Sequence, residues 1–439
     1  MLGVPLGSDH FVSDFVEKKL IGRLSTTVDR LVDFEDTQSA SYLLRVSFSI
    51  VRAVHFMRTT PLSQWKKQAA KFDVMVRSAI EKILAAPMDD LTFAQVSLTP
   101  RLGGLGLRKV VEHANLAYYA SWHQSLKTAK EVWVPPPDLP PKYTSQQEAS
   151  FQFDEKMHTY LIGQSDVRGA QRLRRAAQPH ACGFITAVPS DEDGKDCVLP
   201  PRHFRTAVAY RLGLPVLNEE TPCPLCEQPI NIFGDHATCC TKSGDLIIRH
   251  NALRNLIGHI GADGLLSPVL EKKGILGNTN GRRPGDVTFQ RWSGGKGLAV
   301  DVAVTSPLAP SNVRTIDPCE HYAAVQKHGK YDKSFEGTDY VFSAMVFETW
   351  KVRKCYASSF GLLQKNLDVS LLLIADVLGL VSPATYSAPS PRPSSHVPMA
   401  TNSGINPPFL FSHLFLVPIR EAQLQLFVPS EFIPRWKSK

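Results

Sequence analysis

The chain has 439 residues, enough for two or three domains. A hydrophobic fraction of 43% and a charged fraction of 21% are ordinary for a globular protein and set aside fibrous and wholly disordered classes. The net charge of +8 and pI of about 9.0 suit a polyanionic partner without requiring one. No basic stretch followed by an apolar run opens the chain, so no signal peptide is expected. The longest apolar stretch, Leu371 to Val381, is interrupted by Asp376 and is too short to span a bilayer. The expectation is an intracellular protein, nuclear or cytoplasmic, with no membrane partner.

Residues 1–130 read as a helical bundle. Val12, Phe15, Val16, Leu20, Leu24, Val28 and Leu31 recur near helical spacing. Ala40 to Met57 repeats the pattern through Leu43, Leu44, Ile50, Val51 and Val54, and a third helix runs through Phe72, Val76, Ile80, Ile83 and Leu84. The run Arg101-Leu102-Gly103-Gly104-Leu105-Gly106-Leu107 has neither dinucleotide nor Walker spacing, so it is expected as a packed turn into a helix from Lys109 to Leu126.

Residues 131–147 contain Trp133-Val134-Pro135-Pro136-Pro137-Asp138-Leu139-Pro140-Pro141, a polyproline-type linker. Beyond it, residues 148–220 form a helical, basic segment in which Arg168, Arg172, Arg174 and Arg175 share one helix. Such a run is either a solvated face or a phosphate-backbone contact. Phe204, Val208, Tyr210 and Leu212 mark a further short helix over 201–217.

Residues 221–245 hold the sharpest local signal, with four of the eight cysteines within 18 residues. Cys223-Pro224-Leu225-Cys226 is followed by His236 and the pair Cys239-Cys240. Two thiolates, an imidazole and a third thiolate supply four N/S donors, the ligand set of a closed, structural Zn²⁺ site. Cys240 completes the spacing Cys-x2-Cys-x9-His-x3-Cys, with Cys239 the alternative. A segment this short and polar needs its metal to fold.

Residues 246–365 read as an α/β core in the order helix, strand, strand, helix, strand. Arg249-His250-Asn251 opens a helix through Leu253, Leu256, Ile257 and Ile260, with His250 a surface or capping residue or a nucleic-acid contact. Val287-Thr288-Phe289 and Leu298 to Thr305 are two β-rich runs around a Gly-rich turn at Gly294-Gly295. Alternation puts Val300, Val302 and Val304 on one face and Ala299, Asp301 and Ala303 on the other. A turn centred on Gly294-Gly295 pairs residue 286 with 303 and residue 288 with 301, leaving Asp286 and Asp301 diagonal on one face, roughly 7 Å apart at the backbone. Two carboxylates at that spacing suit a divalent cation such as Mg²⁺, with Glu271 upstream as a third acid. Each acid alone is equally compatible with a strand opening or an ion pair, but a charge within Leu298 to Val304 is costly unless paired or metal-bound. Asp317 to Phe335 reads as a helix that puts Lys327, Lys330 and Tyr331 on one face. Asp339 to Glu348 reads as a buried strand. Residues 366–439 form a C-terminal helix and a Ser/Pro/Asn-rich tail expected to be disordered, with an apolar run at Phe409 to Val417.

In chain order, Cys223-x-x-Cys226, Gly234-Asp235-His236-Ala237, Arg249-His250-Asn251, Arg283-Pro284-Gly285-Asp286 and Asp301-Val302-Ala303-Val304 resemble the C-terminal part of reverse transcriptase polyproteins from non-LTR retrotransposons. In those proteins a zinc knuckle precedes a restriction-like endonuclease of the PD-(D/E)XK fold. Val4-Pro5-Leu6-Gly7-Ser8 and the run around Gly103 to Leu107 resemble the end of the polymerase domain and its thumb. The resemblance covers roughly residues 1–355. It implies an α+β multidomain chain: a thumb-like helical bundle, a zinc knuckle, and a restriction-endonuclease-like α/β core.

By the same resemblance, Asp286 and Asp301 match the family's metal-binding acids, Glu271 the acid before them, and Cys223, Cys226, His236 and Cys240 the zinc ligands. The family's D-x-K pattern places a lysine at 303, where this chain has Ala303. Retrotransposon versions supply the lysine from the downstream helix, which makes Lys327 the candidate and Lys330 the alternate. The polymerase motif Tyr-x-Asp-Asp does not occur, so the chain is expected to lack polymerase activity and to correspond to a C-terminal portion or truncated element. The implied function is Mg²⁺-dependent nicking of target DNA, with element RNA a further partner. The alternatives are a catalytically dead remnant that still binds nucleic acid, and an interaction scaffold with a structural zinc.

Overall fold

The computed structural model describes residues 3–129, 145–178, 181–186, 188, 199–242, 244–277, 283–293 and 295–349. The polyproline stretch of the expected linker, the tail over 366–439 and the apolar runs at 371–381 and 409–417 lie outside the described residues.

The N-terminal apolar stripe folds as helix α1 (Asp9–Val16), a π turn (Glu17–Ile21) and α2 (Gly22–Val32). Its expected stripe of Val12, Val16, Leu20, Leu24, Val28 and Leu31 is buried. The single helix expected over 40–57 is instead two. Helix α3 (Thr37–Leu43) passes through a π turn and ends at Ser49, whose backbone at φ −97° and ψ −144° leaves the helical region. Ser49 Oγ donates to the Arg45 carbonyl at 2.7 Å, a side-chain bond that competes with the helical ladder. A 3₁₀ turn then leads into α4 (Val54–Thr59).

Helices α5 (Lys66–Leu84), α6 (Asp90–Ser97) and α7 (Val110–Ala129) complete this layer. The Gly-rich run between α6 and α7 is a packed turn. A Cβ on Gly104 would lie 2.0 Å from the Leu98 carbonyl oxygen, so only glycine fits there. Helices α8 (Gln146–Gln164), α9 (Val167–Ala176), α10 (Gly183–Thr186) and α11 (Pro201–Leu212) follow. Phe204, Val208 and Leu212 of α11 share one core with Val76, Ile80 and Val110, so residues 148–220 do not bury a separate core.

Strands β1 (Thr221–Pro222) and β2 (Pro229–Ile230) form a small antiparallel hairpin. After α12 (Asp245–Asp263) comes a four-stranded sheet in the order β3 (Pro268–Leu270), β4 (Val287–Ser293), β5 (Lys296–Thr305), β6 (Tyr340–Glu348). The first three strands are antiparallel, and β6 runs parallel to β5. A parallel neighbour needs a crossover, supplied by α13 (Pro318–Tyr322), a π turn (Ala323–His328) and α14 (Gly329–Phe335).

Leu298, Val300 and Val302 pack with Ile257 of α12, while Ala299 packs with Phe335 of α14 and Phe342. The alternation along β5 is thus as its sequence dictates, with a helix over each face. The register is not. Thr288 pairs with Ala299, two residues away from the expected partner, because a bulge lies between Phe289 and Ser293.

The four-arginine helix α9 turns most of its charge inward. Arg168 donates to both oxygens of Asp235, at 2.5 and 2.7 Å, and stacks on Phe233 beside the β1–β2 hairpin. Arg172 reaches Gln95 of α6 at 2.9 Å. Arg175, 3% exposed, forms a bidentate pair with the fully buried Glu348 at the end of β6. The helix therefore ties three parts of the chain together instead of presenting these side chains to phosphate.

Two substitutions test this packing by chemical denaturation. Gly261 lies where α12 meets β4, and a Cβ there would sit 2.1 Å from the buried Phe289 ring; Gly261→Ala should cost about 1–3 kcal/mol through overpacking. Arg175→Ala leaves the Glu348 carboxylate buried and unpaired, and should cost about 3–5 kcal/mol. A cost under 1 kcal/mol for either contradicts the packing described.

Candidate functional site

The β1–β2 hairpin and the 3₁₀ turn His236–Thr238 bring Cys223, Cys226, His236 and Cys240 together, their ligand atoms all within 4.8 Å of one another. Cys223 Sγ lies 3.8 Å from Cys240 Sγ, and Cys240 Sγ lies 3.7 Å from Cys226 Sγ. Thiolates about 2.3 Å from a tetrahedral Zn²⁺ stand about 3.8 Å apart, so the cluster has the dimensions of a zinc site. Cys226 Sγ is 3.1 Å from His236 Nε2. Cys239 is directed away and donates to the Asp235 carbonyl, which settles the choice between the two cysteines for Cys240. Three sulfurs and one imidazole make a donor set compatible with zinc.

The acidic residues meet at the start of β4 and the middle of β5. The Asp286 amide donates to the Val300 carbonyl at 2.8 Å, and Asp286 Oδ2 accepts from the Val302 amide at 2.6 Å. Its carboxylate therefore caps the ladder beside Asp301. Gly285 permits this approach, since a Cβ there would press on Ala299 at 3.1 Å. Asp301 projects towards the π turn, where it forms an ion pair with Lys327. Lys327 reaches Asp301 from the crossover between β5 and β6. Lys330 does not: it is exposed and lies over the Tyr331 ring.

The electrostatics of the acids are unequal. Burial raises the Asp286 pKa, but the His250 hydrogen bond and the Val302 amide outweigh it and hold the carboxyl below its ordinary range. Burial pushes Asp301 upward, Lys327 pulls against it, and the Asp286 charge adds to the rise. Asp301 Oδ2 is buried, and among the described residues Lys327 is its ion-pair partner. Lys327 itself would be lowered by burial, yet Asp301 raises it on balance, so it remains an ammonium. Burial thus outweighs the Lys327 ion pair at Asp301. Asp286 and Lys327 keep 20% and 18% side-chain exposure, while Asp301 is buried.

Glu271 takes a different position. Its carboxylate is held by Arg254 of α12 and by Arg283, and its amide donates to the Asp286 carbonyl at 2.8 Å. It does not converge with Asp286 and Asp301 into a three-carboxylate cluster. Two guanidiniums already neutralise it, so it braces the strand rather than offering a free ligand. The residue that does enter the site is His250. Its Nε2 lies 3.2 Å from Asp286 Oδ2 and 3.1 Å from the Val302 carbonyl. The signal was its spacing from Leu253 and Ile257, which puts it on the face of α12 that packs on the sheet.

Two other constellations fail on chemistry. Asp317, Cys319 and Glu348 have metal-ligand spacing, but the Arg175 guanidinium already occupies the Glu348 carboxylate. His113, Ser150 and Asp154 resemble a nucleophilic trio, with His113 Nδ1 3.1 Å from Ser150 Oγ. All three are buried, and burial pushes the His113 pKa down to about 3, so they join α7 to α8 without access to substrate. Among the described residues no helix is long and apolar enough to cross a membrane. No protein-family model and no curated protein matches the chain.

Metal analysis of the purified protein tests the thiolate centre. About one Zn²⁺ per chain is expected in the wild type and in Cys239→Ser, with loss in Cys223→Ser and Cys240→Ser. Full zinc content in Cys240→Ser rejects the assignment.

Proposed function

We propose that this chain carries a Mg²⁺-dependent DNA endonuclease centre of the restriction-like type found in non-LTR retrotransposon proteins, with the zinc knuckle as an adjoining nucleic-acid module. The observation that carries this reading is the placement of Asp286, Asp301 and Lys327 beside the central strand β5 of a mixed sheet, with Asp286 and Lys327 partly exposed. The sheet supports it too: an antiparallel run followed by a parallel strand, with a helix on each face, suits a PD-(D/E)XK core.

Asp286 and Asp301 would hold the cation, and Lys327 would stand in for the lysine absent at Ala303. When bound, Mg²⁺ supplies a water of lowered pKa and polarises the scissile phosphate. Lys327 keeps its proton beside Asp301 and can stabilise negative charge developing on the phosphate oxygens. The net charge of +8 favours a polyanionic substrate. Arg168, Arg172 and Arg175 are committed to internal contacts, so the grip on DNA falls to other cations, among them the exposed Lys330, Lys333 and Arg314.

Supercoiled plasmid incubated with protein and Mg²⁺ should be nicked, and EDTA should stop the reaction. Asp286→Asn, Asp301→Asn and Lys327→Ala should each lower the rate by about 10² or more, whereas Lys330→Ala should remain within a few-fold of wild type. Nicking undiminished in both aspartate variants rejects the assignment. Salt-sensitive DNA binding without cleavage in Mg²⁺ or Mn²⁺ would identify a catalytically dead remnant instead.

A further inference from the structure

We infer that His250 is a positioning residue for the cation site: it donates its Nε2–H to Asp286 Oδ2 and fixes that carboxylate so that Oδ1 is left for the metal. The inference rests on the endonuclease reading for the identity of the site, but its geometry stands independently. His250 Nε2 faces two acceptors, Asp286 Oδ2 at 3.2 Å and the Val302 carbonyl oxygen at 3.1 Å. A ring nitrogen between two acceptors must carry a hydrogen. Nε2 is therefore a donor here and cannot itself be a ligand while that contact persists.

The same oxygen of Asp286 accepts from the Val302 amide at 2.6 Å. Oδ2 thus receives one main-chain and one imidazole donor, from two different elements of the fold. Strand β5 fixes the first donor and α12 the second, so the carboxylate is held against rotation from both sides. Outer partners of this kind orient ligating carboxylates, and their loss typically weakens metal binding about 10–100-fold.

His250 occupies a half-exposed place on an otherwise sheet-facing stripe. Its neighbours along that stripe, Leu253 and Ile257, pack on the apolar face of the sheet, so the backbone beneath His250 is anchored. A structural role alone would predict loss of stability on substitution and no specific effect on metal affinity. A positioning role predicts the reverse weighting, and predicts rescue by a side chain that restores the donor.

The test uses the full chain with its zinc retained. Mn²⁺ serves as the probe, with free Mn²⁺ read by electron paramagnetic resonance, and thermal unfolding run alongside. His250→Leu keeps bulk without a donor and should weaken Mn²⁺ binding about tenfold, while His250→Gln, which restores an N–H, should return affinity to within about threefold of wild type. The Mg²⁺ concentration needed for half-maximal nicking should rise by the same factor in His250→Leu, with the rate at saturating Mg²⁺ little changed. If His250→Leu does not fold, His250→Asn, polar but too short to reach Asp286, takes its place.

Equal Mn²⁺ affinity in wild type and His250→Leu overturns the inference, as does equal impairment in the Leu and Gln variants. Mn²⁺ binding that needs both Asp286 and the His250 donor, in a protein that nicks no DNA, overturns the endonuclease reading and leaves the positioning role intact. Wild-type protein that takes up no Mn²⁺ overturns both.

Discussion

The constraint on which the fold turns is the burial of α9. This ten-residue helix carries four arginines, yet three of them point into protein. A buried guanidinium has five donors and no tolerance for being left unpaired. Each arginine is therefore committed to a specific partner: Arg168 to Asp235 beside His236 of the Cys/His group, Arg172 to Gln95 in the helical layer, Arg175 to Glu348 at the end of β6. Because these partners belong to three different parts of the chain, satisfying them fixes how the parts meet. Apolar contacts alone would leave the knuckle and the sheet free to slide, since hydrophobic burial has no preferred direction.

The acidic cleft follows from a second imbalance of the same kind. Asp301 stands in the middle of a strand whose neighbours are buried, where a charge is expensive. Lys327 offsets that cost in part, and the Asp286 charge adds to it. The fold thus keeps Asp301 against Lys327 and Asp286 against His250. Helices on both faces supply the supports, His250 from α12 on one side and Lys327 from the crossover on the other. The arrangement holds two carboxylates at a fixed place, each beside a basic side chain from a different face of the sheet.

Much of this was legible in the chain itself. The Cys-x-x-Cys followed by His236 and Cys240 announced its tetrahedral donor set, because ligand spacing is a local property of a short, polar segment. The helical stripes from Val12 to Leu31 and from Phe72 to Leu84, and the alternation along β5, were equally plain, since amphipathic period depends only on neighbours a few residues away. The break at Ser49 was not legible, because the pattern of Leu44, Ile50 and Val54 continues across a backbone that leaves the helix.

What the amino-acid order alone determined, then, was the set of elements and the chemical identity of the candidate ligands. The tertiary structure decided which of those side chains meet. The bulge after Phe289 reset the pairing of β4 with β5, and Lys327 met Asp301 while Lys330 stayed exposed over the Tyr331 ring. Glu271 went to two arginines and His250 to Asp286. The basic helix, a plausible grip for phosphate when read as a linear run of charge, became an internal strut. Each outcome depends on groups far apart in sequence competing for the same buried space or the same donor, and that competition is settled only when the chain has packed.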